Sequence, residues 1–249
     1  MGPPDRPEEQ PITAVSSRRR RTVLVSLSAC LTLLPGACSA PADRPPGGAA
    51  ISAPAASPAH ALTLLSRLPV QGRAPATGYD REAFGQAWSD DVTVEGGHNG
   101  CDTRNDVLRR DLTAVVTRGR SRGCKVTSGV LFDEYTGETH EFTSGRDTSP
   151  LVQIDHVVSL SNAWQTGARQ LDEARRAAFA NDPLNLQAVG AEVNREKGNG
   201  DAASWLPPRK AYRCMYLARQ VAVKARYALW VTPAEHDAMR RELVGCAPG

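Results

Sequence analysis

The chain has 249 residues, with 30 Lys and Arg against 27 Asp and Glu. Five of the basic and three of the acidic residues lie within the first 40 positions, so the remainder carries 25 basic against 24 acidic side chains. This balance excludes a global positive field as a reason for binding nucleic acid, and any such attraction must be local.

The N-terminal stretch has the pattern of a signal peptide. Four arginines at 18–21 precede an apolar run over 22–37 that ends in small residues. The run is too short for a membrane span, so we predict a signal peptide over 1–40 and a secreted or extracytoplasmic protein. Three cleavage sites are compatible with the sequence: a lipobox at Cys30, a lipobox at Cys38, or a signal-peptidase site near Ala40. Either lipobox would give a lipid anchor, which is therefore an alternative.

A linker is predicted to follow the signal peptide. Residues 41–76 are rich in Pro, Ala, Gly and Ser, which is typical of a tether. An apolar patch at 61–65 interrupts it and is an alternative start of the fold. The remaining residues, 77–249, have the length of one domain and show no internal repeat.

Four cysteines lie beyond the signal peptide, at Cys101, Cys124, Cys214 and Cys246. An even number in an exported chain predicts two disulfides, and three pairings are possible. The sequential pairing, Cys101 with Cys124 and Cys214 with Cys246, closes two short loops. Each would contribute on the order of 3 kcal/mol by loop entropy. Without a C-x-x-C motif, a structural zinc ribbon is not expected.

The first half of this domain is predicted to contain helices and a hairpin. Three aromatic residues within 79–88 indicate a short amphipathic helix. A longer helix is capped by Asp102 or Thr103, and its apolar face is expected to extend to Val116. The β-rich segments are predicted as strands at 125–132, 138–142, 152–160 and 184–189, the first two forming a hairpin. Short helices are expected around Trp164, over 171–180 and over 192–197.

The last third is predicted to be helical, with a long helix over 209–230. Its apolar face is traced by Met215, Ala218, Ala222, Ala225 and Leu229. Its polar face is traced by Arg209, Arg213, Tyr216, Gln220, Lys224 and Tyr227. Six Lys or Arg and no acid occur between 202 and 234, so we expect Arg209, Arg213 and Lys224 to bind nucleic acid, with a solvated face as the alternative. A capping box at 232–235 begins a final helix.

Phosphodiester hydrolysis requires a base, positive charge and an activated water, and residues 154–200 contain suitable side chains. His156 can titrate near neutral pH. Asp155 and Asn194 offer the oxygen ligands that Mg²⁺ prefers, together with several waters. Lys197 lies three residues after Asn194 on the same helical face and is expected to contact phosphate.

Three segments carry a family resemblance: D-H-V-V at 155–158, N-L-Q-A-V at 185–189 and N-R-E-K-G at 194–198. Together they resemble the motif of HNH (ββα-metal) endonucleases. A longer pattern, from residue 79 to Cys246, resembles secreted bacterial HNH proteins. Those proteins share a domain with the C-terminal part of GmrSD-type restriction endonucleases.

The resemblance implies a role for each site residue. His156 would be the general base, Asp155 and Asn194 would bind the metal, and Asn185 would hold the loop that orients His156. Ser159 departs from the pattern, since many HNH proteins have proline there. Neighbouring residues of a regular strand point to opposite faces, so the strand is required to end, twist or bulge at Asp155 and His156.

These inferences combine into one prediction. The fold class is α+β, with a ββα-metal core embedded in a mostly helical, disulfide-stapled domain. The function is a metal-dependent endonuclease that cuts DNA, with RNA as an alternative substrate, uses Mg²⁺ and acts as a monomer. Arg104 is also expected to reach the nucleic acid, whereas the four tryptophans are expected in the core. The rival hypothesis is a catalytically silent envelope protein that binds nucleic acid or another acidic polymer.

Overall fold

The computed structural model describes residues 57–246, and the structural statements below concern this part of the chain. The predicted signal peptide and the first part of the predicted linker lie outside it. The helices are α1 (Pro58–Leu65), α2 (Thr103–Asp111), α3 (Leu160–Gln165), α4 (Glu173–Asn181), α5 (Ala191–Lys197), α6 (Lys210–Arg226) and α7 (Pro233–Cys246). The strands are β1 (Leu112–Thr117), β2 (Val126–Phe132), β3 (Thr139–Thr143), β4 (Val152–His156) and β5 (Leu186–Gly190).

Helix α1 lies inside the range predicted as a linker, which is a correction to that prediction. The Ser57 hydroxyl caps it by accepting a hydrogen bond from the amide of His60 at 3.3 Å. Ala61 and Leu65, four residues apart, are buried on one face against α6 and α7. The apolar patch at 61–65 therefore belongs to the core, because its helical spacing lets it bury that face.

The predicted long helix after Cys101 is shorter than expected. Asp102 caps α2 as predicted, accepting a hydrogen bond from the amide of Asn105 at 2.9 Å. The helix ends at Asp111, and Leu112–Thr117 continues as strand β1, paired antiparallel with β2. The extension of the apolar face to Val116 was therefore wrong. The β-branched residues of this segment favour an extended backbone once a neighbouring strand is present.

The strands form two separate antiparallel sheets. One has the order β1-β2-β3, and its β2–β3 hairpin confirms the predicted one. The other pairs β4 with β5, which are consecutive in space although α3 and α4 separate them along the chain. Helix α5 follows β5 directly and packs against both strands of this pair.

The predicted faces of the long helix, observed as α6, are only partly correct, although Ala218 and Leu229 of the apolar face are buried as expected. Tyr216, Gln220 and Lys224, from the predicted polar face, are buried, whereas Met215 and Ala225, from the predicted apolar face, are exposed. The polar groups tolerate burial because they have partners: Gln220 Nε2 donates to the Val157 carbonyl at 2.9 Å. Side-chain polarity alone therefore misidentified the solvent face.

Two disulfides close short loops of the domain, with the paired cysteines 23 and 32 positions apart. They join Cys101 with Cys124 and Cys214 with Cys246, which confirms the sequential pairing. The predicted capping box is also present, with Thr232 and Glu235 each accepting a hydrogen bond from the other's amide. The described residues thus form a mixed α+β fold, and none of their helices is long and apolar enough to cross a membrane.

Candidate active site

The ends of β4 and α5 meet at a cavity of about 260 Å³. Three of its lining residues are those in which the sequence placed the chemistry, Asp155, His156 and Asn194. The remaining lining residues are Tyr79, Arg81, Gln153, Ile154, Ser159, Leu160, Arg195, Gly198 and Asn199.

Asp155 is a buried carboxylate with a partner on each oxygen. Its Oδ2 accepts a hydrogen bond from the Tyr135 hydroxyl at 2.7 Å. Its Oδ1 accepts one from Lys197 Nζ at 2.9 Å, which forms a buried ion pair. A carboxylate has about four lone-pair sites, so both oxygens retain capacity for a further contact.

His156 is held by two contacts and is only 8% exposed. Its Nε2 lies 2.9 Å from the carbonyl oxygen of Ala180, and its ring is stacked on Trp88 with 6.0 Å between centroids and an interplanar angle of 13°. A carbonyl oxygen can only accept, so Nε2 carries the proton of the neutral ring. Nδ1 is therefore the nitrogen with a free lone pair, and it can act as a base.

The environment of His156 keeps the ring neutral. Burial is the main cause that lowers its pKa from 6.5 to about 3, and the positive charges of Arg81 and Lys197 act in the same direction. The hydrogen bond to Ala180 opposes this shift. At neutral pH the imidazole is accordingly unprotonated.

Asp155 and His156 occupy the last two positions of β4. They pair regularly with Gln187 and Leu186, so the strand has no bulge there. Their side chains have different neighbours, as expected for consecutive strand positions. Both residues line the cavity, and the strand ends at His156.

Asn185 fixes the backbone that follows His156. Its Oδ1 accepts a hydrogen bond from the amide of Val158 at 2.8 Å, and its Nδ2 donates to the carbonyl of the same residue at 3.3 Å. Asn185 is completely buried and does not line the cavity. Its contribution is to position the loop, not to contact a ligand.

Asn194, on α5, lines the cavity. Its Nδ2 donates to Gln153 Oε1 at 2.8 Å, which orients the amide and leaves its Oδ1 free to accept or to bind a cation. Gln153 was not predicted from the sequence. Its position two residues before Asp155, on the same face of the strand, was the signal that could have found it.

The donor set fits a hard, largely hydrated cation. Asp155 and Asn194 supply oxygen ligands, which suit Mg²⁺ with several retained waters. Within residues 57–246 there is no group of three or more His, Cys, Asp or Glu side chains that could hold a metal ion. We therefore expect these residues to bind a cation only weakly, because Lys197 already neutralises the Asp155 carboxylate.

Two lysines predicted to bind nucleic acid are buried, which corrects both predictions. Besides its ion pair, Lys197 Nζ donates to the His156 carbonyl at 2.9 Å and has no exposed side-chain surface. Lys224 Nζ is equally buried and lies 3.0 Å from Glu235 Oε1. An ammonium enclosed in this way cannot reach a phosphate without breaking a buried ion pair.

The three predicted arginines are partly exposed, but each is engaged within the fold, and none lines the cavity. Arg104 donates to the carbonyls of Ser149 and Val152, and so fixes the start of β4. Arg209 pairs with Glu134. Arg213 donates to the carbonyl of Pro207 at 2.8 Å.

The arginines that do line the cavity are Arg81 and Arg195. Arg195 lies inside the N-R-E-K-G segment, so its position beside Asn194 was visible in the sequence. Arg81 belongs to a 3₁₀ turn, Arg81–Phe84, where the sequence predicted a helix over 79–88. Nothing in the sequence placed that turn beside His156.

Comparison with known proteins agrees with the resemblance noted in the sequence. The model of the family described as GmrSD restriction endonucleases, C-terminal domain, matches residues 102–242. An uncharacterized secreted protein of Arthroderma benhamiae is 41% identical over 227 residues, which cover 90% of this chain and 98% of the relative. No solved structure matches the chain. The chain therefore belongs to the family of the C-terminal domain of GmrSD restriction endonucleases.

Proposed function

We propose that the protein is an exported, metal-dependent endonuclease of the HNH type that hydrolyses phosphodiester bonds of DNA. One observation carries the proposal: Asp155, His156 and Asn194 line the same cavity, at the ends of β4 and α5. The antiparallel pair β4 and β5 followed by α5 is compatible with a ββα-metal core into which α3 and α4 are inserted, and the family's description as restriction endonucleases supports the same chemistry. The two disulfides and the secreted relative support export.

In this proposal His156 accepts a proton from the attacking water. The hydrogen bond from Nε2 to Ala180 aims Nδ1, and Asn185 holds the backbone two residues further on. The low pKa keeps His156 unprotonated at neutral pH, and it also makes the imidazole a weaker base than one with a pKa of about 7.

Asp155 and Asn194 would hold the divalent cation, with Mg²⁺ the ion that their oxygen donors favour. When bound, the cation would supply positive charge near the oxygens that become more negative during hydrolysis. Lys197 fixes the Asp155 carboxylate and the backbone at His156, so its role is positioning.

A catalytically silent binding module is the second candidate function. The observation in its favour is that both oxygens of Asp155 have partners. A carboxylate bound by Tyr135 and Lys197 can have a purely structural role. In that case the cavity would bind a nucleic acid or another acidic polymer without cleaving it.

Plasmid cleavage distinguishes the two. We expect cleavage that requires a divalent cation, stops with chelator and falls by at least about 100-fold in His156→Ala and His156→Gln, because each loses the base. Glutamine can retain a donor to Ala180, so its loss of activity would not reflect a missing structural hydrogen bond.

The matched control is His60→Ala, since His60 is exposed on α1, away from the cavity. It should cleave like the wild type. If His156→Gln cleaves as fast as the wild type, the proposed mechanism is wrong. If the wild type binds DNA but does not cleave it with any divalent cation, the silent module is the correct function.

A further inference from the structure

We propose that Arg81 and Arg195 form the phosphate-binding subsite of this cavity, and that they hold the phosphodiester from two different elements. The inference rests on the proposed function for its substrate class. Neither arginine was predicted from the sequence to contact nucleic acid. The residues that were predicted are Arg104, Lys197, Arg209, Arg213 and Lys224.

The first argument is that both guanidinium groups are available. Arg81 and Arg195 are exposed, and neither has an ion pair or side-chain hydrogen bond within residues 57–246. The arginines predicted as nucleic-acid contacts instead use their donors within the fold, as Arg104 does on two carbonyls.

The second argument is the charge of the cavity wall. Among the lining residues Asp155 is the only acid, and its charge is neutralised by Lys197 at 2.9 Å. The two arginines therefore leave the wall with an excess of positive charge. A cavity of this sign attracts an anion although the domain as a whole is nearly neutral.

The third argument is the position of each arginine around the cavity. Arg195 lies on α5, the helix that also carries Asn194, and both residues line the cavity. Arg81 lines both the main cavity and a smaller one of about 30 Å³ that is bordered by Trp88 and His156, so it lies on the side of the base. A phosphodiester bound between them would be placed between the base and the cation.

The chemistry of arginine suits this task. The guanidinium is a planar fork of donors that matches the oxygens of a phosphate, and it remains charged at every relevant pH. Two such forks recognise the backbone and carry no sequence information. The subsite should therefore bind any DNA sequence equally well.

The test is binding of a short DNA duplex to Arg81→Gln, Arg195→Gln and the double variant, each in a His156→Gln background so that the duplex is not cut. Log K should depend less steeply on log salt by about 1 for each arginine that is lost. Affinity should fall by the same factor for two unrelated duplex sequences. The two single variants should be folded, because both guanidinium groups are exposed, and thermal unfolding checks this.

The matched control is Arg240→Gln, which removes an exposed arginine of α7 that does not line the cavity. Its affinity and salt slope should equal those of the parent. An unchanged affinity and slope in the Arg81→Gln/Arg195→Gln double variant would overturn the inference, and so would a loss confined to one duplex sequence.

Failure of the inference is distinguishable from failure of the proposed function. If the wild type cleaves in a His156-dependent manner while the arginine variants bind normally, the function stands and the subsite is wrong. If the wild type never cleaves but its binding depends on both arginines, the subsite stands and the nuclease function is wrong.

Discussion

His156 is positioned by contacts that come from three parts of the chain. The Ala180 carbonyl fixes one ring nitrogen, Trp88 covers one ring face, and Asn185 fixes the backbone two residues further on. Trp88 has a φ of 60°, in the left-handed region that non-glycine residues rarely adopt. The surrounding loop therefore holds this side chain against the imidazole at a cost in backbone energy.

Trp88 is expected to act as a positioning residue for the base. In Trp88→Ala the imidazole loses its stacking partner, so kcat for DNA cleavage should fall about 10- to 100-fold while KM changes little. Trp88→Phe keeps an aromatic face and should recover most of kcat. Steady-state kinetics on a defined duplex measures both constants.

The split between the two constants is the informative readout. A rise in KM with unchanged kcat in Trp88→Ala would show that Trp88 binds substrate instead. Equal losses in Trp88→Phe and Trp88→Ala would contradict the stacking role.

At the scale of elements, a buried ion pair joins α6 to α7 within their packed interface. Lys224 Nζ contacts Glu235 Oε1 at 3.0 Å, and neither side chain is exposed. Burial lowers the pKa of Lys224 and raises the pKa of Glu235, and the pairing opposes both shifts. Asn162 and the Trp230 carbonyl accept the remaining hydrogen bonds of the ammonium.

Lys224→Met should lower the free energy of unfolding by about 3–5 kcal/mol, because it leaves Glu235 buried without a cation. Lys224→Met/Glu235→Gln should recover part of this loss, since no buried charge remains. Urea unfolding followed by circular dichroism measures the effect.

The control for this prediction is Lys210→Met, at the exposed start of the same helix, which should change stability little. The DNA affinity of the folded Lys224→Met protein should equal that of the wild type. A loss of affinity with unchanged stability would mean that Lys224 contacts nucleic acid after all.

At the scale of the whole molecule, the segment after α1 is tied to the segment after α5. Arg73 Nη2 lies 2.5 Å from Asp201 Oδ2, across 128 positions of the chain. Burial alone would raise the pKa of Asp201, but the ion pair with Arg73 and hydrogen bonds from Ser204 and Ala203 together lower it below 3.8. A carboxyl whose folded pKa is lowered stabilises the fold above its unfolded pKa, and this contribution is lost as pH falls through the folded value.

Arg73→Gln should therefore destabilise the domain most at neutral pH. Because Arg73 is 44% exposed, we expect roughly 1–2 kcal/mol of lost unfolding free energy. The difference from the wild type should begin to shrink as pH falls below about 4, where Asp201 of the unfolded chain becomes protonated, and it should disappear only below the lowered folded pKa. The measurement is thermal unfolding of the variant and the wild type at about four pH values between roughly pH 3 and pH 7.

Arg67→Gln is the matched control, since Arg67 is exposed in the same segment and has no ion pair within residues 57–246. It should leave the stability curve unchanged at each pH. A difference for Arg73→Gln that stays constant down to pH values of about 3 would exclude Asp201 as its cause.

The sequence by itself determined the parts of this protein that depend on local spacing. It predicted the hairpin and the capping box at 232–235, since a turn or a cap needs only near neighbours, and it favoured the sequential disulfide pairing. It also predicted the family. The roles of Asp155, His156 and Asn194 stay predictions.

Only the tertiary structure decided which charged side chains face solvent. Lys197 and Lys224 are buried because carboxylates from distant elements neutralise them, and a polarity pattern contains no record of such partners. Strand β1 forms where a helix was expected because β2 offers it a hydrogen-bonding edge. Arg81 reaches the cavity because the chain before α2 folds over His156, and long-range contacts of this kind are written in no single stretch of sequence.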